Sequence, residues 1–254
     1  MFEVFLVNEL VSIIMPAYNA SATIKESINS VIRQTHDNFE LLIVDDCSSD
    51  DTIAIISGFA ATDSRIKLIV NSVNLGVAKS RNKAIDCATG EYIAFLDSDD
   101  LWCENKLKFQ LNEMKRHHAE ISCSSYYVFS DKKENVIGVR KVKKKIGYKD
   151  LLKSNSVGCL TVIYNVKKLG KLKFKSVGHE DYLAWLDITK LGSFFLGVKE
   201  PLSYYRVSQK SLSSNKVKMM GYQWRIYREH QKIPAMNSIY YFSNYVIRGI
   251  LKRV

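Results

Sequence analysis

Glu91-Tyr-Ile-Ala-Phe-Leu-Asp-Ser-Asp-Asp100 is an apolar run closed by Gly90 on one side and by three carboxylates on the other. Tyr92 to Leu96, with aromatic and β-branched members, reads as a buried strand whose carboxyl end concentrates negative charge. Asp97 and Asp99 stand two residues apart, where one or two carboxylates can hold an oxygen-seeking cation that completes its shell with water and substrate phosphate. The competing reading is an acidic turn with Asp100 capping the next helix. The stretch alone does not separate the two.

Upstream, the same strand-loop-helix unit recurs. Val11 to Met15 is a short buried strand broken at Pro16-Ala17-Tyr18-Asn19, and Thr23-Ile-Lys-Glu26 offers a capping box. Ile24, Ile28, Val31 and Ile32 then form one helical stripe ending near Gln34. Phe39 to Val44 is the second strand, followed by a polar loop from Asp45 to Asp51 and a helix carrying Ile53, Ile56 and Phe59. Ile66 to Val70 is the third strand, and Asn74-Leu75-Gly76 turns into a helix from about Val77 to Ala88. Strand starts near 11, 39, 66 and 91 with helices between them are βαβ arithmetic, which implies a parallel sheet with right-handed crossovers. Open parallel sheets bind ligands beyond the carboxyl ends of their strands. Pro16 to Asn19, Asp45 to Ser49, Asn74 to Gly76 and Asp97 to Asp100 all fall at such ends. No Gly-X-Gly-X-X-Gly follows the first strand and no phosphate-binding Gly-Lys-Ser/Thr loop occurs, so phosphate recognition is expected from a metal and side chains.

The 254 residues suffice for one large α/β domain or one and a half. Residues 1–130 hold 11 Lys and Arg against 18 Asp and Glu, a balance of −7; residues 131–254 hold 26 against 8, or +18. Such asymmetry points to an anionic partner for the second half, with a merely solubilising lysine-rich face as the alternative. Five cysteines without Cys-X-X-Cys spacing argue for reduced thiols and against a zinc site. Met1 to Leu10, with Glu3 and Glu9 and no basic residue, reads as neither a signal peptide nor a spanning helix, so a cytoplasmic location is expected.

Downstream, Leu107, Leu111 and Met114 mark a helix to about His117, Ile121 to Phe129 a strand, Asp131 to Asn135 a hairpin turn, and Val136 to Val142 its return. The basic run Arg140 to Lys145 precedes an amphipathic Tyr148 to Lys153, and Thr161 to Tyr164 reads as another strand. Gly178-His179-Glu180-Asp181 opens a helix stopped by Gly192, its acids suiting the helix dipole. From Ile239 to Arg253 one face carries Ile239, Phe242, Val246, Ile247 and Ile250, and the other Asn244, Arg248 and Lys252. This tail suits a helix lying on an anionic membrane surface, or one packed on the domain or a second subunit.

Val-Ser-Ile-Ile-Met-Pro-Ala-Tyr-Asn, Val-Asp-Asp, Asn-Leu-Gly-Val-Ala-Lys-Ser-Arg-Asn, the quoted 91–100 stretch, His-Glu-Asp-Tyr and Glu-Pro-Leu-Ser-Tyr-Tyr-Arg occur here in order. In these, over about residues 11–215, the chain resembles the family 2 inverting glycosyltransferases of the GT-A fold, particularly bacterial enzymes building O-antigen or capsule repeats on a lipid carrier. The resemblance implies a Rossmann-like, mostly parallel sheet flanked by helices, with a smaller acceptor-side region and C-terminal helices. It divides the chain into a nucleotide-sugar half (1–120), an acceptor and catalytic-base half (121–215) and basic amphipathic helices (216–254). It further implies that Pro16, Tyr18 and Asp46 cradle a uracil base, Tyr18 by stacking and Asp46 by accepting a base N–H. Arg81 is expected near the diphosphate, Asp97 at the ribose or metal shell, Asp99 on Mn²⁺ or Mg²⁺, and Asp181 as the catalytic base. Two positions depart from the family pattern. Cys47 replaces a usual Gly after the paired aspartates, which disfavours a left-handed turn there. Ser208 stands where a His often follows the Tyr-Arg segment, leaving Arg206 as the candidate diphosphate cation; Tyr205 reads equally as a core aromatic.

The implied reaction moves a hexose from UDP-glucose or UDP-galactose to a hydroxyl of an undecaprenyl-diphosphate-linked sugar, with inversion. It places the protein peripherally on the inner face of the cytoplasmic membrane. The divalent cation neutralises the leaving group and Asp181, its pKa raised by burial near other negative charge, takes the acceptor proton. Glu180 and His179 are the alternative bases. A processive synthase is disfavoured because there is no spanning segment and Gln223-Trp224-Arg225 lacks the Gln-X-X-Arg-Trp spacing. A catalytically silent nucleotide-sugar-binding subunit remains as a rival. A nucleic-acid-binding protein would explain the basic half but leaves the acidic strand ends without purpose, so no nucleic-acid partner is expected. The sequence carries no signal for oligomeric state.

Overall fold

Every residue of Val11–Ala17 (β1) and Phe39–Asp45 (β2) is buried, as expected for strands covered on both faces. Val11, Ile13 and Met15 enter one apolar layer, with helices α1 (Ile24–Ile32), α2 (Thr52–Thr62) and α4 (Lys106–Arg116). Ile14, Leu42 and Val44 enter the other, with α3 (Val77–Cys87) and α7 (Glu180–Lys190). The two-residue alternation of a strand thus builds a sheet between two helical layers. The computed structural model describes residues 9–207 and 216–251. Met1 to Asn8, Ser208 and the tail charges Lys252 and Arg253 lie outside the described residues, as does the side chain of Arg248.

With β3 (Ile66–Val70) and β4 (Tyr92–Phe95), the first strands pair in the order β3-β2-β1-β4, all parallel. The sheet continues as β9 (Ile163–Asn165), β6 (Ile121–Phe129), β10 (Phe195–Arg206) and β5 (Leu101–Trp102). Strand β9 is antiparallel to both neighbours, which restores β6 and β10 to the direction of β4. Two short strands sit off this path: β7 (Val136–Arg140) on β6, and β8 (Lys145–Ile146) on β10. Helix α5 (Tyr148–Lys153) packs against α7, where the Tyr182 hydroxyl donates to Leu151 O at 2.9 Å. Short α6 (Val166–Leu169), then α8 (Lys216–Arg225) and α9 (Ala235–Leu251), complete the chain. All five cysteines are free thiols. Among the described residues no helix is long and apolar enough to cross a membrane.

Several local expectations are revised. Pro16 does not break β1, because β4 pairs with β1 only as far as Ile14 and Leu96 N donates to Ile14 O. Pro16, two residues on, meets no ladder that needs its missing N–H. The capping box does not form. Thr23 Oγ1 donates to Ser98 O at 2.9 Å instead, and Glu26 pairs with Arg206. Asp100 caps no helix: β5 intervenes, and α4 begins after Asn105. In the tail the expected apolar face is split: Phe242 packs edge-on to Trp224 at 5.6 Å and turns inward, whereas Ile239 and Ile247 stay exposed. Met236 (83% exposed), Ile239, Tyr240 and Ile247 form a second, outward apolar stripe.

Candidate active site

The carboxyl ends of β1, β2 and β4 open beside the first turn of α7. Loops after β1 and β2 are laced together: Asn19 Oδ1 accepts from Ser49 N, and Asp50 accepts from Ser21 N and Thr52 N. Burial works against the Asp50 charge, but these donors and the Thr52 hydroxyl hold its carboxyl down to about 2. Tyr18 leaves the end of β1 with 53% of its surface exposed, while Pro16 is buried beneath it. Asp46 is buried and accepts from Asn71 Nδ2 (2.8 Å), Leu75 N (2.9 Å) and Gly76 N (2.7 Å). Desolvation opposes its charge, yet these bonds lower its pKa. Asp46 therefore builds the Asn74–Gly76 loop, with the Ser80 hydroxyl as a further partner of its carboxyl. Cys47 does adopt the left-handed conformation, with φ 66°, at the cost of about 1–2 kcal/mol that a non-glycine residue carries there.

Arg81, projecting from α3 and 4% exposed, joins the two sides of the crevice. Its Nη2 donates to Asp97 Oδ1 at 2.5 Å and its Nη1 to Glu180 Oε1 at 2.9 Å, and the guanidinium lies 5.6 Å from the Phe174 ring. Glu180, which the sequence offers as a helix-start acid, is thus half of a buried ion pair across 99 residues. Desolvation opposes the Arg81 charge, but Asp97, Cys159, Glu180 and Asp181 around it raise its pKa well above normal.

Asp99 and Asp100 part company. Asp99 keeps an open edge at the crevice, and desolvation, then the Asp97 charge, push its carboxyl up to about 6. Asp100 is buried; desolvation, then Asp99 and Asp97, raise its pKa strongly, and it accepts from Arg206 N at 2.8 Å. Arg206 ties this loop down, donating from Nε to Asp99 O, from Nη1 to Asp131 O and from Nη2 to Glu26 Oε2, with its guanidinium 4.6 Å from the Phe129 ring. These partners come from three separate segments. Neither Glu26 nor Asp131 was singled out for this site from sequence.

Asp181 lies in the first turn of α7, partly buried, accepting from its neighbour Tyr182 N at 2.7 Å. Burial, then the Glu180 charge, push it up to about 6 against the pull of Arg81. His179 precedes it in a left-handed conformation (φ 53°), and burial depresses its pKa. Gly178, at φ 68°, lies under Tyr222 of α8, where a Cβ would meet the ring at 2.5 Å. Helix α8 therefore packs over the turn that leads into α7.

Among the described residues no three His, Cys, Asp or Glu side chains converge as a ready metal cage. With Asp97 engaged by Arg81, the donor set is Asp99 alone or with the second Asp97 oxygen. This fits an Mg²⁺- or Mn²⁺-like ion held by one or two carboxylates and completed by substrate phosphate and water. A separate open groove of about 590 Å³ lies at the far end of α7, between Lys168, Lys173, Asp187 and Leu191, and takes in none of these site residues.

Residues 12–169 match the model of Glycosyl transferase family 2. The chain is 42% identical over 244 residues to the Escherichia coli UDP-Glc:alpha-D-GlcNAc-diphosphoundecaprenol beta-1,3-glucosyltransferase WfgD, covering 96% of this chain and 94% of that one. It is 35% identical to the putative teichuronic acid biosynthesis glycosyltransferase TuaG of Bacillus subtilis (strain 168), over 96% and 98%. Its fold is similar to that of S. aureus TarS crystallised with UDP, with a TM-score of 0.66, 22% identity and coverage of 86% and 65%. The mannosyltransferase PcManGT from Pyrobaculum calidifontis, in complex with GDP-Man and Mn²⁺, gives 0.65 at 18% identity over 88% and 64%. The expected GT-A architecture is the one found, and the chain belongs to glycosyl transferase family 2.

Proposed function

We propose that this glycosyltransferase moves a hexose, with inversion, from a UDP-hexose (UDP-glucose or UDP-galactose) to a hydroxyl of a sugar carried on undecaprenyl diphosphate. The observation that carries the reading is Asp181: a carboxylate poised at about 6, across Arg81 from the acidic end of β4. A base with that pKa is largely ionised at neutral pH yet basic enough to accept a hydroxyl proton as the new bond forms. The donor and acceptor stated in the name of WfgD support the substrate classes.

In this reading Tyr18 stacks on the base and Asp46 accepts its N–H, with Pro16 as the floor. Arg81 holds Asp97 and Glu180 in register, so that Asp97 can meet the ribose and Asp181 the acceptor. Asp99 would hold Mn²⁺ or Mg²⁺, which supplies charge neutralisation for the departing diphosphate. Arg206 fixes the Asp99 backbone, and its two remaining N–H groups are the candidates for a phosphate contact. One displacement assisted by one base inverts the anomeric centre, so an α-linked donor gives a β-linked product.

The outward stripe Met236, Ile239, Tyr240 and Ile247 of α9 lies on the inner surface of the cytoplasmic membrane, bringing the crevice to a lipid-borne acceptor. Measuring metal-dependent hydrolysis across UDP-sugars, then transfer to a lipid-diphosphate sugar, tests the reading. Donor binding without transfer to any such acceptor would overturn it in favour of a silent binding subunit.

A further inference from the structure

Thr23, Ser27, Ser30 and Gln34 follow one another at spacings of four, three and four, which places them along one side of α1 and its flanking turns. The stripe is polar, yet it faces protein: Ser27 is fully buried and Gln34 nearly so. Each member bonds the backbone that leaves β4. Gln34 Nε2 donates to Cys103 O at 2.8 Å and its Oε1 accepts from Leu107 N at 3.1 Å, while Ser30 Oγ accepts from Trp102 N at 3.2 Å. Thr23 Oγ1 and Ser27 Oγ both donate to Ser98 O at 2.9 Å. Helix α1 follows the chain from residue 98 to residue 107, and its first turn meets that chain between Asp97 and Asp99.

Both hydroxyls forgo partners in their own turn of the chain. Ala20 O lies 3.4 Å from Thr23 Oγ1 and Thr23 O lies 3.5 Å from Ser27 Oγ, distances that do not compete with 2.9 Å. A carbonyl oxygen has two acceptor positions, and on Ser98 O both are filled. This oxygen is held toward α1 and keeps no position for a cation. The peptide is planar and trans, so fixing its oxygen also fixes the opposite N–H, which belongs to Asp99. The Asp99 carboxyl accepts that N–H of its own. The next carbonyl, Asp99 O, accepts from Arg206 Nε at 2.8 Å, and Glu26 of the same turn of α1 anchors Arg206. Both peptides flanking Asp99 are braced from one turn of one helix.

We propose that Thr23 and Ser27 are positioning residues for the divalent cation: by holding Ser98 O they aim the Asp99 carboxylate, so that the ion meets it without rearrangement of the loop. The proposal rests on the metal assignment made above. Hydrogen-bonding groups that orient a metal's ligands typically change metal affinity by about 10- to 100-fold when removed. With two hydroxyls on one oxygen, loss of either leaves the other. Loss of both frees the peptide plane to turn about its two flanking single bonds.

Mn²⁺ binding to the full chain with UDP present is measured by calorimetry, alongside Tm and UDP affinity in chelator and the Mn²⁺ concentration that gives half-maximal transfer. Thr23→Val and Ser27→Ala should each weaken Mn²⁺ binding about two- to fivefold and the double variant at least about tenfold, with half-maximal transfer moved to higher Mn²⁺ by the same factor. Thr23→Ser keeps the hydroxyl and should stay within about twofold of wild type. Ser30→Ala is the control, because it removes a hydroxyl from the same side of α1 at Trp102 rather than at Ser98. It should lower Tm as the others do while Mn²⁺ affinity stays within about twofold. Unchanged Mn²⁺ affinity in the double variant, with binding abolished in Asp99→Ala, would overturn the proposal and leave the metal assignment standing. An equal loss of affinity in Ser30→Ala would also overturn it, making the stripe an element of stability only. Should the double variant not fold, Thr23→Val against Thr23→Ser decides, and equal Mn²⁺ affinities would overturn the proposal. A wild type that binds no Mn²⁺, or an Asp99→Ala variant that binds it undiminished, would refute the metal assignment and the proposal together.

Discussion

Replacing Asp181 by Asn removes one charge and keeps the shape, so its two consequences are separable. The Asn side-chain oxygen can still accept from Tyr182 N, preserving the 2.7 Å contact at the start of α7. The charge, however, is held at a cost: folding raises the carboxyl from 3.8 to about 6, a difference of about 3 kcal/mol at 1.36 kcal/mol per pKa unit. Partial access to water reduces this to an expected 1–2 kcal/mol, on the order of a 2–6 °C gain in Tm for a chain of this size. The sign follows from linkage. The cost is absent below about pH 4, grows as pH rises toward 6, and is complete above it. Asp181→Asn should therefore melt higher than wild type at pH 7.5 and match it near pH 4, while transfer falls by about 10²- to 10⁴-fold because the amide accepts no proton. Thermal unfolding at the two pH values, alongside turnover at pH 7.5 and UDP affinity, checks both halves. Near-normal turnover would move the base to Glu180 or His179. A variant that melts lower and loses activity only in proportion would make Asp181 a structural cap.

Removing divalent cation with a chelator, or making Asp99→Ala, should abolish transfer, and Mn²⁺ should restore it only with Asp99 present; full activity in excess chelator would sink the metal assignment. Because the Asp99 carboxyl titrates at about 6 without metal, Mn²⁺ affinity should fall as pH drops through that value. Lys106 is fully buried, and desolvation lowers it to about 7 from 10.5, so the charged form destabilises the fold below pH 7 and the penalty disappears toward pH 10.5. Lys106→Met should raise stability at pH 6–7 by about 2 kcal/mol, after allowing for the lost bond to Gln110, and by little at pH 10; a uniform gain at both would refute the cause given. Triple substitution of Met236, Ile239 and Ile247 by Ser should weaken binding to anionic liposomes at least about tenfold without changing Tm, and unchanged binding would make α9 a packing element only.

What the sequence disclosed was whatever depends on short periods. Ile66–Val70 and Ile121–Phe129 fall at the expected bounds because alternation and flanking turn residues are local signals. The crevice was legible for the same reason, since each polar cluster directly follows an apolar strand. Partnerships across the chain were not. Arg206 reaches Glu26 over 180 residues and Asp100 over 106, and no spacing rule encodes such contacts. Glu26 therefore reads locally as a cap, and Asp100 in one of two open readings as a helix start, whereas in the fold a tertiary partner outcompetes the local one. Pro16 misled because proline breaks a strand only where a neighbour needs its N–H, and the length of β4 decides that.

The buried pairing of Arg81 with Asp97 and Glu180 bears on how enzymes of this type can be recombined. Exchanging the segment around α7 between relatives is an obvious way to change the acceptor, yet Glu180 travels with that segment while Arg81 and Asp97 stay behind. A donor segment lacking the acid would strand an arginine with 5% side-chain exposure short of one partner, a defect that costs about 3–5 kcal/mol when a buried pair is broken. Chimaeras should therefore fail at folding before they reveal anything about acceptor choice, unless the crossover keeps the arginine and both of its acids together.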